Sequence, residues 1–171
     1  MSSEMIPIKF EISGDQVCNS DNFIIIFHLD EPKYALPLSI VERVVRAVEI
    51  TRIPNAPAFI MGAINVQGNI IPVVNIRSRL HLPDCEIRPD DHFIIARTQK
   101  RNIVLVADQV IGIYVPEYDR TEHTDKNFPQ VDYIKGVTRI GDNIIFIYDI
   151  DTFLSPEEER ELDNALTAGT S

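Results

Sequence analysis

The feature that most constrains the fold is an internal repeat, in which residues 62–76 are similar to residues 136–150 at a constant offset of 74 residues. Both segments begin with glycine, and both carry Asn-Ile-Ile at the same place, at 69–71 and at 143–145. Each segment predicts a strand, a tight turn that contains glycine and a second, alternating strand, which together form a β-hairpin. Because a repeated supersecondary unit is typical of duplicated architectures, we interpret the chain as a tandem duplication.

A weaker repeat and the composition support the same interpretation. Phe23-Ile24-Ile25 and Phe93-Ile94-Ile95 match at an offset of 70 residues. Isoleucine and valine dominate the apolar residues, and β-branched side chains favour the half-buried surface of a strand. The apolar runs are short and turn-forming residues separate them, as in a barrel or a sandwich. We therefore expect two small β-barrels, which at about 70 residues each would be marginal alone and should pack together.

One helix is marked near the C-terminal end. Ser155 is a favourable N-cap, Pro156 fits the first helical position, and Glu158 completes a capping box. Leu162 and Leu166 are four residues apart and form a single apolar stripe on such a helix. The pattern therefore predicts a helix that packs one face against the rest of the protein.

The predicted organisation has three parts. They are an N-terminal segment over residues 1–20, a main domain over residues 21–154, and a helix with its tail over residues 155–171. Short helical turns are also expected at residues 56–60 and 77–80.

The charge of the chain excludes several classes of partner. The formal net charge is -10, so the protein lacks the broad basic face that nucleic acids and anionic membranes require. The first residues contain no basic n-region, and no stretch approaches the roughly 18 apolar residues of a membrane span. We expect a cytoplasmic protein that neither binds nucleic acid nor inserts into a membrane.

Candidates for metal binding and catalysis are weak. His81, Cys85 and His92 have a tolerable spacing for a metal, but no second cysteine pair accompanies them. A hydrolase built on a small barrel is an alternative, and it would need a polar pocket around a residue such as Asp108 or His92. We expect no metal, no cofactor and no catalytic residue.

Residues 57–77 carry the longest motif of the chain, Pro-Ala-Phe-Ile-Met-Gly-Ala-Ile-Asn-Val-Gln-Gly-Asn-Ile-Ile-Pro-Val-Val-Asn-Ile-Arg. This segment resembles the signature of the CheW family, which are adaptor proteins of bacterial chemosensory arrays. Residues 34–38 and the hairpin at 136–150 also fit the family pattern, so the resemblance runs from about Phe23 to Leu166. The chain is therefore identified as a member of that family.

The resemblance implies a mostly β fold with two five-stranded β-barrels, related by a tandem duplication with partly exchanged strands, and a C-terminal α-helix. The first barrel would cover approximately residues 21–90 and the second approximately residues 91–154. It also implies a non-enzymatic scaffold that couples chemoreceptors to a CheA-type histidine kinase in a chemosensory signalling array. One barrel would dock the regulatory domain of the kinase, and the junction near the second would dock the cytoplasmic tip of the receptor.

The resemblance also assigns candidate binding residues. The kinase-binding candidates are Val41, Arg43, Val44, Asn65, Gln67 and Gly68. The receptor-binding candidates are Leu38, Ile103, Val104, Val110 and Ile113. Strand packing and turn chemistry explain the same residues equally well, because Gly68 suits an unusual backbone angle and an apolar run suits a core. A receptor groove should leave its apolar residues partly exposed in the isolated protein.

Two positions depart from the family pattern. Gln67 stands where the family commonly has arginine, and Arg43 stands where it commonly has an acidic residue, although Glu42 is adjacent. The change is either harmless, since an exposed ion pair contributes only about 0–1 kcal/mol, or a sign of different partners. The alternative function is therefore a paralogous adaptor of a pilus or developmental chemosensory pathway with altered partner specificity.

Overall fold

The structure is a computed structural model that describes residues 23–30, 32–115 and 133–169, so the predicted N-terminal segment at 1–20 lies outside the described residues. These ranges contain ten strands, two α-helices and two short 3-10 helices, at Leu38–Ile40 and Ile150–Thr152. In chain order the elements are β1 (Ile24–His28), β2 (Lys33–Pro37), β3 (Val41–Arg46), β4 (Ile60–Val66), β5 (Asn69–Val74), α1 (Ile76–Arg79), β6 (His92–Arg97), β7 (Asn102–Ala107), β8 (Gln109–Tyr114), β9 (Ile134–Ile140), β10 (Asn143–Tyr148) and α2 (Pro156–Gly169).

The strands form two five-stranded sheets with the same topology. Sheet one has the order β8-β1-β2-β10-β9, and sheet two has the order β3-β6-β7-β5-β4. In each sheet one pair is parallel, β2 with β10 and β5 with β7, and the other neighbouring pairs are antiparallel. The predicted fold class, mostly β with two five-stranded units and a C-terminal helix, is confirmed.

The strand pairing repeats the sequence offset of 74 residues. Gly62 lies opposite Val73 in sheet two, and Gly136 lies opposite Ile147 in sheet one. Both hairpins also shift their register at the same place, immediately before the paired glycine. The two hairpins are therefore equivalent residue by residue.

The weaker repeat has a different offset in the structure from the one predicted. Ile26 lies opposite Ala35 in sheet one, and Ile95 lies opposite Val104 in sheet two, which places the equivalent residues 69 rather than 70 positions apart. The error matters because a shift of one residue moves every side chain of a strand to the opposite face. A run such as Phe-Ile-Ile has no alternation that could fix its register.

The two sheets do not coincide with the predicted barrel ranges of 21–90 and 91–154. Sheet two is formed by strands from residues 41–107, whereas sheet one combines strands from both sides of that segment. The division is different because β2 pairs with β10 from the far end of the chain, not with the strand that follows it. The chain crosses from one sheet to the other at Leu38–Ile40 and again at Asp108, between β7 and β8.

Both faces of each sheet are buried. On β1, Ile25 and Phe27 belong to the largest apolar cluster, whereas Ile24 and Ile26 belong to a cluster made of sheet-one residues. Sheet two divides in the same way, because the residues of β7 alternate between the largest cluster and a cluster of its own. The largest cluster contains residues from both sheets and from α2. It is a shared core that joins the two sheets.

Gly62 permits a close approach between the chain that follows β3 and the edge strand β4. Its φ of +149° lies in a region that favours glycine, and a Cβ atom there would be 2.4 Å from the carbonyl oxygen of Thr51. Thr51 and Ala63 exchange two backbone hydrogen bonds of 2.9 and 2.8 Å beside it. The connection between β3 and β4 is thereby fixed against the sheet.

The predicted capping box of the C-terminal helix is present. The Ser155 N–H donates to Oε2 of Glu158 at 2.8 Å, and the Glu158 N–H donates to Oγ of Ser155 at 3.2 Å. Leu162 is fully buried in the shared core, and the helix continues to Gly169. These bonds satisfy backbone donors that the first turn of a helix leaves unpaired.

One of the two predicted helical turns is helical. The turn expected at 77–80 is α1, which begins one residue earlier, at Ile76. Residues 56–60 form a non-helical turn, in which the Ile60 N–H donates to the carbonyl oxygen of Pro57 at 2.9 Å. The reason is that Ala56 precedes a proline, which disfavours the helical conformation.

Arg77 connects the two sheets through a part-buried ion network. Its Nη1 donates to Oδ2 of Asp30 at 2.8 Å, and its Nη2 donates to Oδ1 of Asp108 at 2.7 Å. Asp30 belongs to the turn between β1 and β2, and its own N–H donates to Oδ2 of Asp108 at 2.7 Å. Burial favours the neutral form of Asp108, but these hydrogen bonds hold its pKa below the ordinary 3.8.

We expect the Asp108→Asn variant to be less stable at neutral pH and less sensitive to acid. Removal of the Asp108 charge should cost about 2 kcal/mol of unfolding free energy, because Asp30 still pairs with Arg77. Because the pKa of Asp108 is lowered on folding, its contribution is complete above the ordinary pKa of 3.8 and is lost as the pH falls through the folded-state pKa. Urea unfolding at several pH values measures both effects. An Asp90→Asn variant on the neighbouring exposed loop is the control, and equal acid sensitivity in Asp108→Asn and the wild type would contradict the role of Asp108.

Replacement of Thr138 by valine should stabilise the protein. Thr138 is buried in sheet one at the position equivalent to Ile64, and its Oγ1 has no hydrogen-bond partner among the described residues. Valine has nearly the same shape and removes the unpaired hydroxyl group, so Thr138→Val should raise the unfolding free energy by about 1 kcal/mol. The matched control is Thr98→Val, which removes a hydroxyl that donates to the carbonyl oxygen of Arg101 at 2.8 Å and should destabilise. Destabilisation by Thr138→Val in urea unfolding would show that the hydroxyl group has a partner.

Candidate functional site

The kinase-binding candidates lie on two elements of sheet two. Val41, Arg43 and Val44 are on β3, and the remaining candidates are at the turn between β4 and β5. β3 and β4 are the two end strands in the order of this sheet. Both groups are therefore at sheet edges.

The three candidates on β3 differ in exposure. Val41 and Arg43 are half-buried, with Val41 packed against the shared core. The side chain of Val44 is buried inside that core, so it is a packing residue and is not accessible to a partner. The physical reason is the register shift between Val41 and Arg43, which changes the simple alternation of the strand.

The turn candidates form an exposed and well-defined hairpin tip. Gln67 and Gly68 have positive φ angles of 53° and 88°, the arrangement that matches the twist of a two-residue hairpin loop. The Gly68 N–H donates to Oδ1 of Asn65 at 2.9 Å, so the asparagine side chain caps the turn. All three residues are exposed.

Ile70 is an exposed apolar residue that the candidate set did not include. Its exposed fraction is 53%, and its equivalent in sheet one, Ile144, is 61% exposed. Both directly follow the asparagine that ends a hairpin turn, so each lies at a tip, where the neighbouring chain no longer covers it. The repeat has isoleucine at both tips, and this shared isoleucine is the sequence feature that could have identified Ile70. We call Asn65, Gln67, Gly68 and Ile70 the tip surface.

An apolar cleft of about 280 Å³ adjoins the tip surface. Asn65 and Ile70 line it on one side, and Ala165 and Leu166 of α2 line it on the other. Its remaining walls come from β4 and from the connection after β3, at Ala63, Ile64, Thr51, Arg52, Ile53 and Pro54. The cleft makes the apolar area around Ile70 concave, as expected for a site that receives an anchor side chain.

Charged contacts hold α2 in place beside this cleft. The Arg101 guanidinium, in the turn between β6 and β7, is 3.0 Å from Glu159 and also contacts Asp163. Arg79 of α1 contacts Glu158 and lies 4.0 Å above the ring centroid of Phe59. α2 is therefore bound to sheet two, although it follows a strand of sheet one.

The receptor-binding candidates are divided between the core and the junction of the sheets. Ile103 is in the shared core, Val104 is in the core of sheet two, and Ile113 on β8 is also buried. These three side chains are packing residues and do not form the partly exposed groove that we expected. The cause is that β7 is a central strand with both faces covered, so its apolar run reflects burial on two sides.

Leu38 and Val110 are half-buried at the two places where the chain crosses between the sheets. Both pack against the shared core, as does Val41, which directly follows the first crossing. The Leu38 N–H donates to the carbonyl oxygen of Phe23 at 2.8 Å, and the Val110 N–H donates to Nδ1 of His92 at 2.8 Å. We call Leu38, Val41 and Val110 the junction surface.

Two of the residues considered for catalysis or metal binding, Asp108 and His92, have structural partners. Asp108 holds Arg77, and His92 accepts a backbone hydrogen bond. Within the described ranges, no group of three or more His, Cys, Asp or Glu residues is arranged to hold a metal ion. Within the same ranges, none of the helices has the length and apolar character needed to cross a bilayer.

Comparison with known proteins agrees with the fold and with the motif. A chemotaxis protein CheW from Treponema pallidum is 25% identical over 153 residues, which are 85% of this chain and 90% of the relative. A chemotaxis protein CheW from Thermotoga maritima is 28% identical over 138 residues, which are 81% of this chain and 91% of the relative.

A solved structure and a family model extend the comparison. The crystal structure of the scaffolding protein TtCheW from Thermoanaerobacter tengcongensis is 28% identical and superposes with a TM-score of 0.70, covering 75% of this chain and 89% of that chain. Residues 24–158 match the model of the CheW-like domain, so the match spans most of the chain, both sheets and the start of α2. The protein belongs to the CheW-like domain family.

Proposed function

We propose that this protein is a non-enzymatic scaffold that couples chemoreceptors to a CheA-type histidine kinase in a chemosensory array. Family membership supports the proposal, as do relatives named chemotaxis protein CheW and a neighbour described as a scaffolding protein. The observation that carries it is an exposed apolar tip surface in one sheet together with a separate half-buried junction surface between the sheets. Two such surfaces suit a protein that binds two partners.

The tip surface is the proposed kinase site. Ile70 supplies an exposed apolar anchor beside a concave apolar cleft, and Gln67 with Asn65 supplies a polar rim. Interfaces typically gain most of their affinity from a few such anchors, whereas the rim decides which partner is accepted. Arg43 is half-buried on β3, the opposite end strand of sheet two, so it lies apart from the tip surface.

The junction surface is the proposed receptor site. Leu38, Val41 and Val110 are half-buried against the shared core, so they offer apolar area without being sealed inside it. Leu38 and Val41 lie at the first crossing between the sheets, and Val110 lies at the second. Half-buried apolar side chains of this kind suit contact with the apolar face of an amphipathic helix, which is the form of a receptor tip built from helices. A protein with this role acts in the cytoplasm, where such tips lie.

Coupling follows from the rigid connection between the two surfaces. The shared core and the Arg77 network fix sheet one against sheet two, so partners bound at the two surfaces have a defined mutual position. Simultaneous binding converts the encounter of receptor and kinase into an event at high effective concentration. A change in the receptor can then reach the kinase through the scaffold without any chemical step.

A second candidate function is a paralogous adaptor of a pilus or developmental chemosensory pathway. Arg43 and Gln67 favour it, because both differ from the usual family residues and Gln67 lies at the proposed kinase surface. Competition between the CheA-type kinases of one cell for the purified protein distinguishes the two functions. Preference for a kinase encoded with pilus or developmental genes supports the second.

Ile70→Glu should weaken binding of the kinase regulatory domain by at least about tenfold, because a charge replaces an apolar anchor at the centre of the tip surface. Titration calorimetry with the purified domain measures the dissociation constant. The control is Ile144→Glu, which places the same charge at the equivalent tip of sheet one and should retain binding. Equal loss in the two variants, or none in either, would refute the assignment of the kinase site.

Leu38→Ala should weaken binding of a soluble coiled-coil fragment of a receptor tip by about tenfold, because it removes apolar contact area from the junction surface. The same variant should still bind the kinase domain, and Ile70→Glu should still bind the receptor fragment. Thermal unfolding of both variants separates lost contacts from lost structure. Loss of both partners in a folded Leu38→Ala protein would show that the two surfaces are not separate.

A further inference from the structure

The second crossing between the sheets is held by a histidine that acts as a hydrogen-bond acceptor. Asp108 lies at this crossing and is fixed by Arg77, and two residues later the Val110 N–H donates to Nδ1 of His92 at 2.8 Å. His92 is on β6 of sheet two, whereas Val110 is on β8 of sheet one. The bond therefore connects the two sheets next to the half-buried side chain of Val110. It requires a Nδ1 atom without a proton, so the imidazole must be neutral.

We propose that neutral His92 positions Val110 of the junction surface, so that receptor docking weakens when His92 is protonated. The inference rests on the proposed receptor role of the junction surface. His92 acts through Val110, so it is a positioning residue and does not itself contact the receptor. The proposal adds a dependence on proton concentration to one of the two docking surfaces.

The surroundings of His92 favour the neutral form. His92 is partly buried, and Arg46 lies directly opposite it on β3, whereas the neighbouring Asp91 acts in the other direction. Two further titratable groups belong to the neighbouring elements. Asp108, at the crossing, is hydrogen-bonded to Arg77, and His28 on β1 lies opposite Gln109 of β8. Burial and Arg46 together lower the pKa of His92 below the ordinary 6.5.

Protonation would set two hydrogen-bond donors against each other. A cationic imidazole carries hydrogen on both nitrogens, so Nδ1 could no longer accept from Val110. Because folding lowers the pKa of His92, its contribution to stability is complete above about pH 6.5 and declines as the pH falls from there through the folded-state pKa. The Val110 amide then loses its acceptor, and the crossing is held by Asp108 without His92.

Two substitutions separate the acceptor from its charge. In His92→Asn, the side-chain Oδ1 can occupy nearly the same place as Nδ1 and accepts without titrating. In His92→Leu, no acceptor remains at any pH. The matched control is His81→Asn, because His81 is exposed and has a φ of 55°, a backbone conformation that asparagine tolerates.

The primary experiment measures hydrogen exchange of the Val110 amide by NMR in the unbound full chain. Relative to its intrinsic rate, exchange in the wild type and in His81→Asn should be about fivefold faster at about pH 5 than at about pH 7.5, as loss of one hydrogen bond implies. Exchange should stay slow at both pH values in His92→Asn and fast at both in His92→Leu. A wild-type amide whose protection is independent of pH overturns the proposal, and so does the same pH dependence in His92→Asn.

The second measurement is binding of the soluble receptor-tip fragment at the same two pH values. The wild type should lose about fivefold more affinity at the lower pH than His92→Asn does. Because both proteins bind the same fragment, any effect of titrating the fragment itself is the same in both measurements. Equal loss in the two proteins overturns the proposal, even if the Val110 amide responds. If no variant binds the fragment at either pH, the receptor function fails, and the exchange data show separately whether His92 positions Val110.

Discussion

The apolar contact between the two sheets is the interaction on which the rest of the structure depends. It buries one face of each sheet, and the other face of each is covered by that sheet's own cluster. Most apolar side chains on the described central strands are therefore covered. Partners can be met mainly where strands end or where the chain passes from one sheet to the other, and both proposed surfaces lie at such places.

Polar interactions specify how the sheets meet around this apolar contact. Arg77 is surrounded by two carboxylates from different turns, and its position is defined to within the length of a hydrogen bond. A buried network of this kind often adds little net stability compared with apolar packing, because the charges lose their hydration. Its contribution here is geometric, because a shift of one sheet along the other would separate Arg77 from Asp108. A scaffold benefits from such a fixed arrangement.

The sequence predicts some levels of this structure well and others poorly. The hairpins and the capping box could be predicted because glycine turns, alternation and Ser-x-x-Glu act locally. The burial of Val44, Ile103 and Val104 could not be predicted, because a strand covered on both sides has the same apolar run as an exposed apolar patch. The one-residue error in the weaker repeat has the same origin. Ile70 was missed because its exposure depends on where the neighbouring chain ends, which is a tertiary property.

The distribution of strands between the sheets has a consequence for how the protein folds. All five strands of sheet two come from one continuous stretch, 41–107, whereas sheet one needs strands on both sides of it. During synthesis, sheet two can therefore form before β8, β9 and β10 have been made. Until then β1 and β2 lack their other neighbours in sheet one. The apolar side chains of β1 and β2 are not covered by the later strands during that interval. Exposed apolar strands of this kind make a nascent chain prone to aggregate. Early β-structure in this protein is thus expected in the segment that carries the tip surface.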